Sequence, residues 1–520
     1  MSIRRRGRAA ALIGVLVWLA TVAAQDVLPT PGRRTASPAS AAAGIDRGLR
    51  PGSFLRAARQ TTGLSGRRAA RTRYVPGSLV VKFRTGTSAA ARTALLAVVD
   101  GRTTPRIANA PFDVVTLDGG TDPEAVAQRL STQPDVEYAQ ARYLVRPLAF
   151  RPNDPLYSLQ WNYPLLDMER AWEINPGASD SVIVAVLDTG LAYTNIAFDY
   201  TQSTPQSIEI SEGQTVTFPA LGTVHLTSAA APDLAGTGRI VSPFDFIWGD
   251  SSPVDMDGHG THVAGTIGQL TNNSVGVAGM AFNVKLMPIK VLAGFWDDYF
   301  LSPFVGTDDT VALGIRYAAD NGAKVLNMSI GRDGPPAPVV RDAIAYALSK
   351  GAFIAIAGGN DFLDGNPVPR FAEFAAQFEG VVSVGAVGRT RQRAIYSGTG
   401  SWLELMAPGG DFTRDGVTGM ILQQTLDFDL TDTFVNGAAG FRAPRFDTFQ
   451  YVYYEGTSMA TAHVSGLAAM LYQQGITKPA AIEAALKRSA TDLGATGRDD
   501  QFGSGLINPR AALRGLGLGR

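Results

Sequence analysis

The sequence predicts an α/β protein, a doubly wound parallel sheet with helices on both faces, preceded by a small α+β unit. Three observations carry this. The apolar runs Ser181–Leu187, Lys285–Leu292, Lys324–Met328, Ala352–Ala357 and Val381–Val387 are nearly continuous, as in strands buried on both faces. Helical segments lie between them, near Asp308–Asn321 and Ala337–Lys350. In the second, Val340, Ala343, Ile344, Ala347 and Leu348 recur as the stripe of a helix packed on a sheet. Strand and helix therefore alternate, which argues for parallel strands joined by crossover helices. In such folds, sites gather at the carboxyl ends of the strands.

The chain begins with Arg4, Arg5, Arg6 and Arg8, an apolar run from Ala9 to Val22, and the small residues Ala23 and Ala24. This reads as a signal peptide over 1–24, because the run is shorter than the ~20 residues of a spanning helix. A secreted, extracellular protein with no membrane attachment after cleavage is expected. Residues 25–73 are rich in Ala, Pro, Gly and Ser and hold ten Arg against two Asp, so a disordered linker is expected.

Residues 74–146 read as a small unit: strand Ser78–Phe83, helix Ser88–Val99, strand Phe112–Leu117, helix Pro123–Ser131, strand Val136–Val145. Residues 147–520 form the body. Within it, 191–231 breaks the alternation and reads as an inserted surface loop or hairpin, and 411–450 reads as a second insertion. The body holds 24 Lys and Arg against 37 Asp and Glu, a net of −13. That excludes nucleic acid as the expected partner, since phosphate binding needs a basic face. It suits Ca²⁺ held on carboxylates. The chain has no cysteine, which excludes thiol nucleophiles, zinc–thiolate sites and disulfide staples.

Peptide hydrolysis needs a nucleophile, a base, a group that orients the base, and donors for the oxyanion. With four His in the chain, at 225, 259, 262 and 463, the choice of base is narrow. Asp188 ends the buried run "SVIVAVLDTG". His259 starts a small-residue helix in "DGHGTHVAGTIG", where the helix dipole should lower its pKa. His262, one turn on among apolar neighbours, reads as a core histidine. A zinc site on His259 and His262 would need the Glu of H-E-x-x-H, which is missing. Ser458 opens the helix in "YYEGTSMATAHVSGLAAML". Taken singly, Asp188 and Ser458 are residues that commonly just cap helices or turns.

Together, "VLDTG", "GHGTHVAGT" and "GTSMATAHVSG", in the order Asp, His, Ser, resemble the three signature segments of the subtilase family. The resemblance implies a subtilisin-like serine endopeptidase with Asp188, His259 and Ser458 as triad. "VLNMSIG" resembles the family's substrate-binding strand, with Ser329, Ile330 and Gly331. "AIAGGN" resembles the strand that brings the oxyanion donor, here Asn360. "YVPGSLVVKF" and "DVEYAQARY" resemble the family's N-terminal pro-domain, which implies a self-processing precursor whose own pro-domain inhibits it. Protein or peptide substrates and a monomeric enzyme are expected. A protein that binds peptides on a decayed protease scaffold would have lost one of these four residues; all are present.

The resemblance also implies structural calcium. "LTNNSVGV" is similar to a subtilase calcium loop, in which Asn273 gives a side-chain oxygen and Thr271, Val275 and Val277 give carbonyls. Asp154 and Asp233 match further ligands. A second candidate is the acidic run Asp245, Asp250, Asp255 and Asp257. Two departures stand out: Ala462 replaces the Pro usual after "GTSMAT", and Asp361–Gly380, the specificity-pocket wall, matches poorly.

Overall fold

The computed structural model describes residues 74–103, 110–118, 120–144, 150–203, 205–211, 214–236, 238–297, 305–428 and 441–515. The expected signal peptide and linker lie outside the described residues, as does 429–440 of the second insertion. The chain divides into two compact units, one within Ser40–Leu148 and the other containing Ala149–Arg520.

The first unit runs β1 (Tyr74–Phe83), α1 (Ala89–Ala97), β2 (Arg102–Thr103), β3 (Asp113–Thr116), α2 (Pro123–Ser131) and β4 (Val136–Tyr143). Its antiparallel sheet has the order β2-β3-β1-β4. Ser88 caps α1 by accepting from the Ala91 N–H, and Asp122 with Pro123 starts α2. Leu79, Val81, Leu96, Val115, Val126 and Leu130 form the core between sheet and helices.

In the second unit, short helices at Asn162–Leu165 and Met168–Trp172 precede β5 (Ile183–Asp188), β6 (Ile196–Gln202), β7 (Gln206–Ser211), β8 (Gln214–Phe218), β9 (Gly222–Ser228) and β10 (Phe244–Asp245). It continues with α3 (His259–Gly268), β11 (Lys285–Lys290), α4 (Asp308–Asp320), β12 (Val325–Met328), α5 (Pro338–Ser349), β13 (Phe353–Ala357), β14 (Val381–Val387) and β15 (Leu405–Pro408). It ends with β16 (Ile421–Leu426), β17 (Phe449–Tyr454), α6 (Thr457–Gln473), α7 (Pro479–Ser489) and α8 (Pro509–Arg514).

Seven strands form one parallel sheet in the order β10-β11-β5-β12-β13-β14-β15. Side chains alternate across it. Val184 and Val186 of β5 join the core under α3 and α6, while Ala185 and Leu187 join the core under α4 and α5. The predicted doubly wound architecture is therefore present, with helices on both faces. Because β5 is the earliest strand of the sheet and lies between β11 and β12, the winding reverses there. A crevice opens at such a switch point, and Asp188 is the last residue of β5. With Ala at 462, α6 runs unbroken for 17 residues.

The two inserted stretches form paired strands. In 191–231, β6 pairs with β9 and β7 with β8. In 411–450, β16 is a fully buried strand paired with β17. Its polar Gln423, Gln424 and Thr425 suggest exposure, but each side chain is matched to a backbone group inside. Gln423 donates to the Ala278 carbonyl at 3.0 Å, Gln424 accepts from the Asp233 N–H at 3.0 Å, and Thr425 donates to the Gly258 carbonyl at 2.5 Å. The two stretches also share a core: Phe446 packs on Phe198 and Tyr200, and Phe441 on Phe218 and Trp296.

Candidate active site

Asp188 leaves the sheet at the carboxyl end of β5, fully buried, and its Oδ1 lies 2.7 Å from His259 Nδ1. The same oxygen accepts the Thr189 N–H at 2.8 Å. His259 opens α3 directly after Gly258, whose φ of +100° suits glycine. A Cβ on Gly260 would collide with the Gly190 carbonyl, so only glycine lets the loops carrying Asp188 and His259 come this close.

The helix dipole does not set the His259 pKa as the sequence suggested. Burial disfavours the charged ring, but the Asp188 carboxylate outweighs it, helped by their hydrogen bond and by Asp257 and Asp255. The pKa is pushed up to about 9. About a fifth of the His259 side chain is exposed, which limits the burial penalty and favours the same direction. His262 is a core histidine. Its Nε2 lies 3.1 Å and 3.0 Å from the carbonyls of Ile421 and Val452, its ring stacks on Tyr454, and burial pushes its pKa down to about 3.

Ser458 sits in the first turn of α6, and α6 packs against α3. Its hydroxyl donates to the Ser329 carbonyl at 3.3 Å. In return, Ser329 Oγ donates to the Ser458 carbonyl at 2.9 Å. Asn327 donates to Ser329 Oγ at 2.9 Å, and Ser465 donates to Asn327 at 2.8 Å. This chain fixes the end of β12 to α6. Beyond it, Ile330 is buried while Gly331 is exposed and has open space where a side chain would be.

Asn360 follows β13 and the pair Gly358–Gly359. Its Oδ1 accepts from both the N–H and the hydroxyl of Thr457 at 2.9 Å, which assigns Nδ2 to the other side. A Cβ placed on Gly456 would lie 3.6 Å from Asn360 Nδ2 and 3.7 Å from Ser458 N. Both nitrogens thus lie within 4 Å of one point beside Gly456. Neither has an acceptor among the described residues, and the Ser458 N–H is one of the unpaired donors of a helix start. The sequence reading missed Thr457 as the residue that orients Asn360; its place one before Ser458 was the available signal.

The residues expected to hold calcium meet in space. Asp154 and Asp233 are both buried. Asp154 accepts from the N–H groups of Asn272 and Asn273, and Asp233 from Asn273 Nδ2 and the Val277 N–H. Burial pushes the Asp233 pKa up to about 6, with Asp154 adding repulsion. Asn272, Ser274 and Gly276 are left-handed, so the loop is tightly coiled. The carbonyls of Thr271, Val275 and Val277 accept no hydrogen bond among the described residues, although Val277 is fully buried. Two crowded carboxylates and orphaned carbonyls fit a hard cation with oxygen ligands. Asn273 fits less directly, since its Oδ1 here accepts the Val275 N–H at 2.9 Å.

The acidic run before His259 is different, and its reading as a second cation site is corrected. Asp245 accepts from Ile247 and Trp248, Asp250 from Ser252, and Asp257 from His259 and Phe295, all through backbone N–H groups. Asp255 is saturated by loop and helix donors. Among the described residues, no three acidic or histidine side chains converge to hold a metal.

Comparison with known proteins places this chain. The sequence profile of the subtilase family matches residues 179–505, and that of the fervidolysin N-terminal prodomain matches 65–141, starting inside the stretch read as a linker. The chain is 30% identical over 434 residues to a thermophilic serine proteinase of Bacillus sp. (strain AK1), covering 83% of this chain and 86% of the relative. It is 28% identical over 366 residues to thermitase of Thermoactinomyces vulgaris, covering 70% of this chain and all of thermitase. Among solved structures, fervidolysin from Fervidobacterium pennivorans matches in fold with a TM-score of 0.50 at 24% identity, over 85% of this chain and 62% of that one. The chain belongs to the subtilase family and is a subtilisin-like serine protease, a hydrolase, with an N-terminal prodomain.

Proposed function

We propose that this protein is a secreted serine endopeptidase in which Asp188, His259, Ser458 and Asn360 carry the chemistry. Ser458 attacks the scissile carbonyl. His259 takes its proton and passes it to the leaving amine, while Asp188 orients the ring and stabilises the imidazolium. Asn360 Nδ2 and the Ser458 N–H receive the oxyanion. Ser329, Ile330 and Gly331 hold the peptide as an added strand, the open space at Gly331 leaving room for it. The observation that supports this most is the 2.7 Å contact of buried Asp188 with His259, with Asn360 Nδ2 and the Ser458 N–H close to one point beside Gly456.

The proposed organisation is a signal peptide at 1–24, a linker at 25–73, an inhibitory pro-domain at 74–146 and a catalytic domain at 147–520. The enzyme cuts itself near Pro147–Asn153 and then acts as a monomer with no membrane attachment. Ca²⁺ on Asp154, Asp233, Thr271, Asn273, Val275 and Val277 stabilises it; the orphaned carbonyls and the raised Asp233 pKa support that reading.

Kinetics on purified variants test the chemistry. Ser458→Ala should abolish hydrolysis and leave the precursor uncut. Asn360→Ala should lower kcat by ~10²-fold with KM little changed. Hydrolysis by Ser458→Ala would remove the serine from the reaction, and normal maturation of that variant in a host free of other proteases would refute self-processing.

A further inference from the structure

The Asp188–His259 pair is held by groups the reaction does not use, and they centre on Asp255. This carboxylate is fully buried and accepts five hydrogen bonds from three chain segments. Its Oδ1 accepts from Thr189 Oγ1 at 2.9 Å, the Asp257 N–H at 3.0 Å and the Gly258 N–H at 2.8 Å. Its Oδ2 accepts from the Thr261 N–H at 2.9 Å and Thr261 Oγ1 at 2.6 Å.

Both threonines relay. Thr189 Oγ1 accepts the Gly260 N–H at 3.0 Å, and Thr261 Oγ1 accepts the Ala192 N–H at 3.0 Å. The residue after Asp188 is thereby tied to the residue after His259. The helix that starts with His259 is tied to the loop that follows Asp188. A close backbone bond reinforces the junction, from Leu191 N–H to the Pro253 carbonyl at 2.9 Å. All five donors point at one acceptor, so an amide or a neutral acid there would face at least one donor with a donor of its own.

We infer that Asp255 is a positioning residue for catalysis: acting through Thr189 and Thr261, it sets the distance and angle of the Asp188–His259 hydrogen bond. This rests on the proposed triad. Asp255 reaches neither the substrate nor the imidazole. Its effect is mechanical, through two loops locked in register, and electrostatic, through a buried negative charge near the ring. The other titratable groups facing this junction are Asp188 from β5, Asp257 from the same loop, His262 on α3, Lys290 from β11 and Tyr454 from β17. Preorganisation of this kind affects kcat more than KM, because the peptide is held elsewhere.

The test uses Asp255→Asn, Thr189→Val and Thr189→Ser in the full-length chain, each matured in trans by immobilised wild-type enzyme, beside wild type and Ser458→Ala. Asp255→Asn should lower kcat by ~10²-fold at nearly constant KM and move the acid limb of the kcat profile to lower pH, because a negative charge that favours the imidazolium is gone. Thr189→Val keeps the shape, removes the relay and should lower kcat by about tenfold; Thr189→Ser restores the hydroxyl and should recover most of it. If Asp255→Asn does not fold, the two threonine variants decide. A folded Asp255→Asn with wild-type kcat and pH profile, or a Thr189→Val as fast as Thr189→Ser, would overturn the assignment. Turnover by Ser458→Ala would instead mean that the triad reading itself had failed.

Discussion

Two acidic regions flank α3, and the sequence offers both as places for a cation. Before the helix, Asp245, Asp250, Asp255 and Asp257 fall within thirteen residues. After it, the coiled loop at 271–277 meets Asp154 and Asp233 from elsewhere in the chain. The first region has more carboxylates but no metal-like convergence; each oxygen used there receives N–H or O–H donors, from its own loop and, at Asp255 and Asp257, also from Thr189 and Phe295. The second has only two carboxylates, which also accept N–H donors, yet they are buried together beside carbonyls that receive no hydrogen bond among the described residues. The orphaned carbonyls separate the two. Carboxylates met by donors alone brace a loop, whereas carboxylates that share their site with orphaned carbonyls fit a cation.

The contrast can be broken by experiment. Asp255→Ala leaves buried N–H and O–H groups without their acceptor, so it should cost on the order of 3–5 kcal/mol, with no recovery on adding calcium. Denaturant unfolding with and without Ca²⁺ measures it, and rescue by Ca²⁺ would put a cation in the wrong region. Chelation of the wild type comes next. A cation bound to the native state at a hundredfold its Kd contributes about 2.7 kcal/mol, so excess chelator should lower Tm by several degrees and speed self-digestion. In Asn273→Ala that response should shrink, and an undiminished response would move the site.

A pH series sharpens the comparison further. The Asp233 pKa, raised to about 6 in the native state, exceeds its unfolded value of 3.8. The native state then binds the extra proton, and stability falls as pH rises between those values. Chelated protein should therefore lose stability from pH 4 to pH 7 more steeply than calcium-loaded protein, in which the carboxylate is neutralised by the ion. Parallel curves would separate Asp233 from the ion. The smallest effect belongs to Asp250, which is exposed and whose carboxylate accepts, among the described residues, only the Ser252 N–H. Asp250→Ala should change stability by no more than about 0.5 kcal/mol and leave the calcium response alone.

How much was legible follows the same logic. The strands of the sheet could be read because burial on both faces leaves an unbroken apolar run, as in Val381–Val387, whose limits agree in sequence and structure. The places of Asp188, His259 and Ser458 at the sheet edge and helix starts could be read because each follows a glycine-rich turn or a buried strand. β16 was not read as a strand because Gln423, Gln424 and Thr425 break its apolar run, and their backbone partners lie far away in the chain. The His259 pKa was misjudged for the same kind of reason. The helix start is local and visible, whereas the Asp188 carboxylate that overrides it comes from 71 residues away. Thr457 was overlooked because its partner Asn360 lies 97 residues away in sequence.

The central claim is that Ser458 is the nucleophile beside the space shared by its own N–H and Asn360 Nδ2. The most direct measurement treats the purified, matured protein with a serine-directed covalent inhibitor and locates the adduct by mass. One adduct per molecule on the peptide containing Ser458, with activity lost in proportion and no adduct in Ser458→Ala, is the predicted result. An adduct on another residue, or full labelling of Ser458 with activity intact, would contradict it.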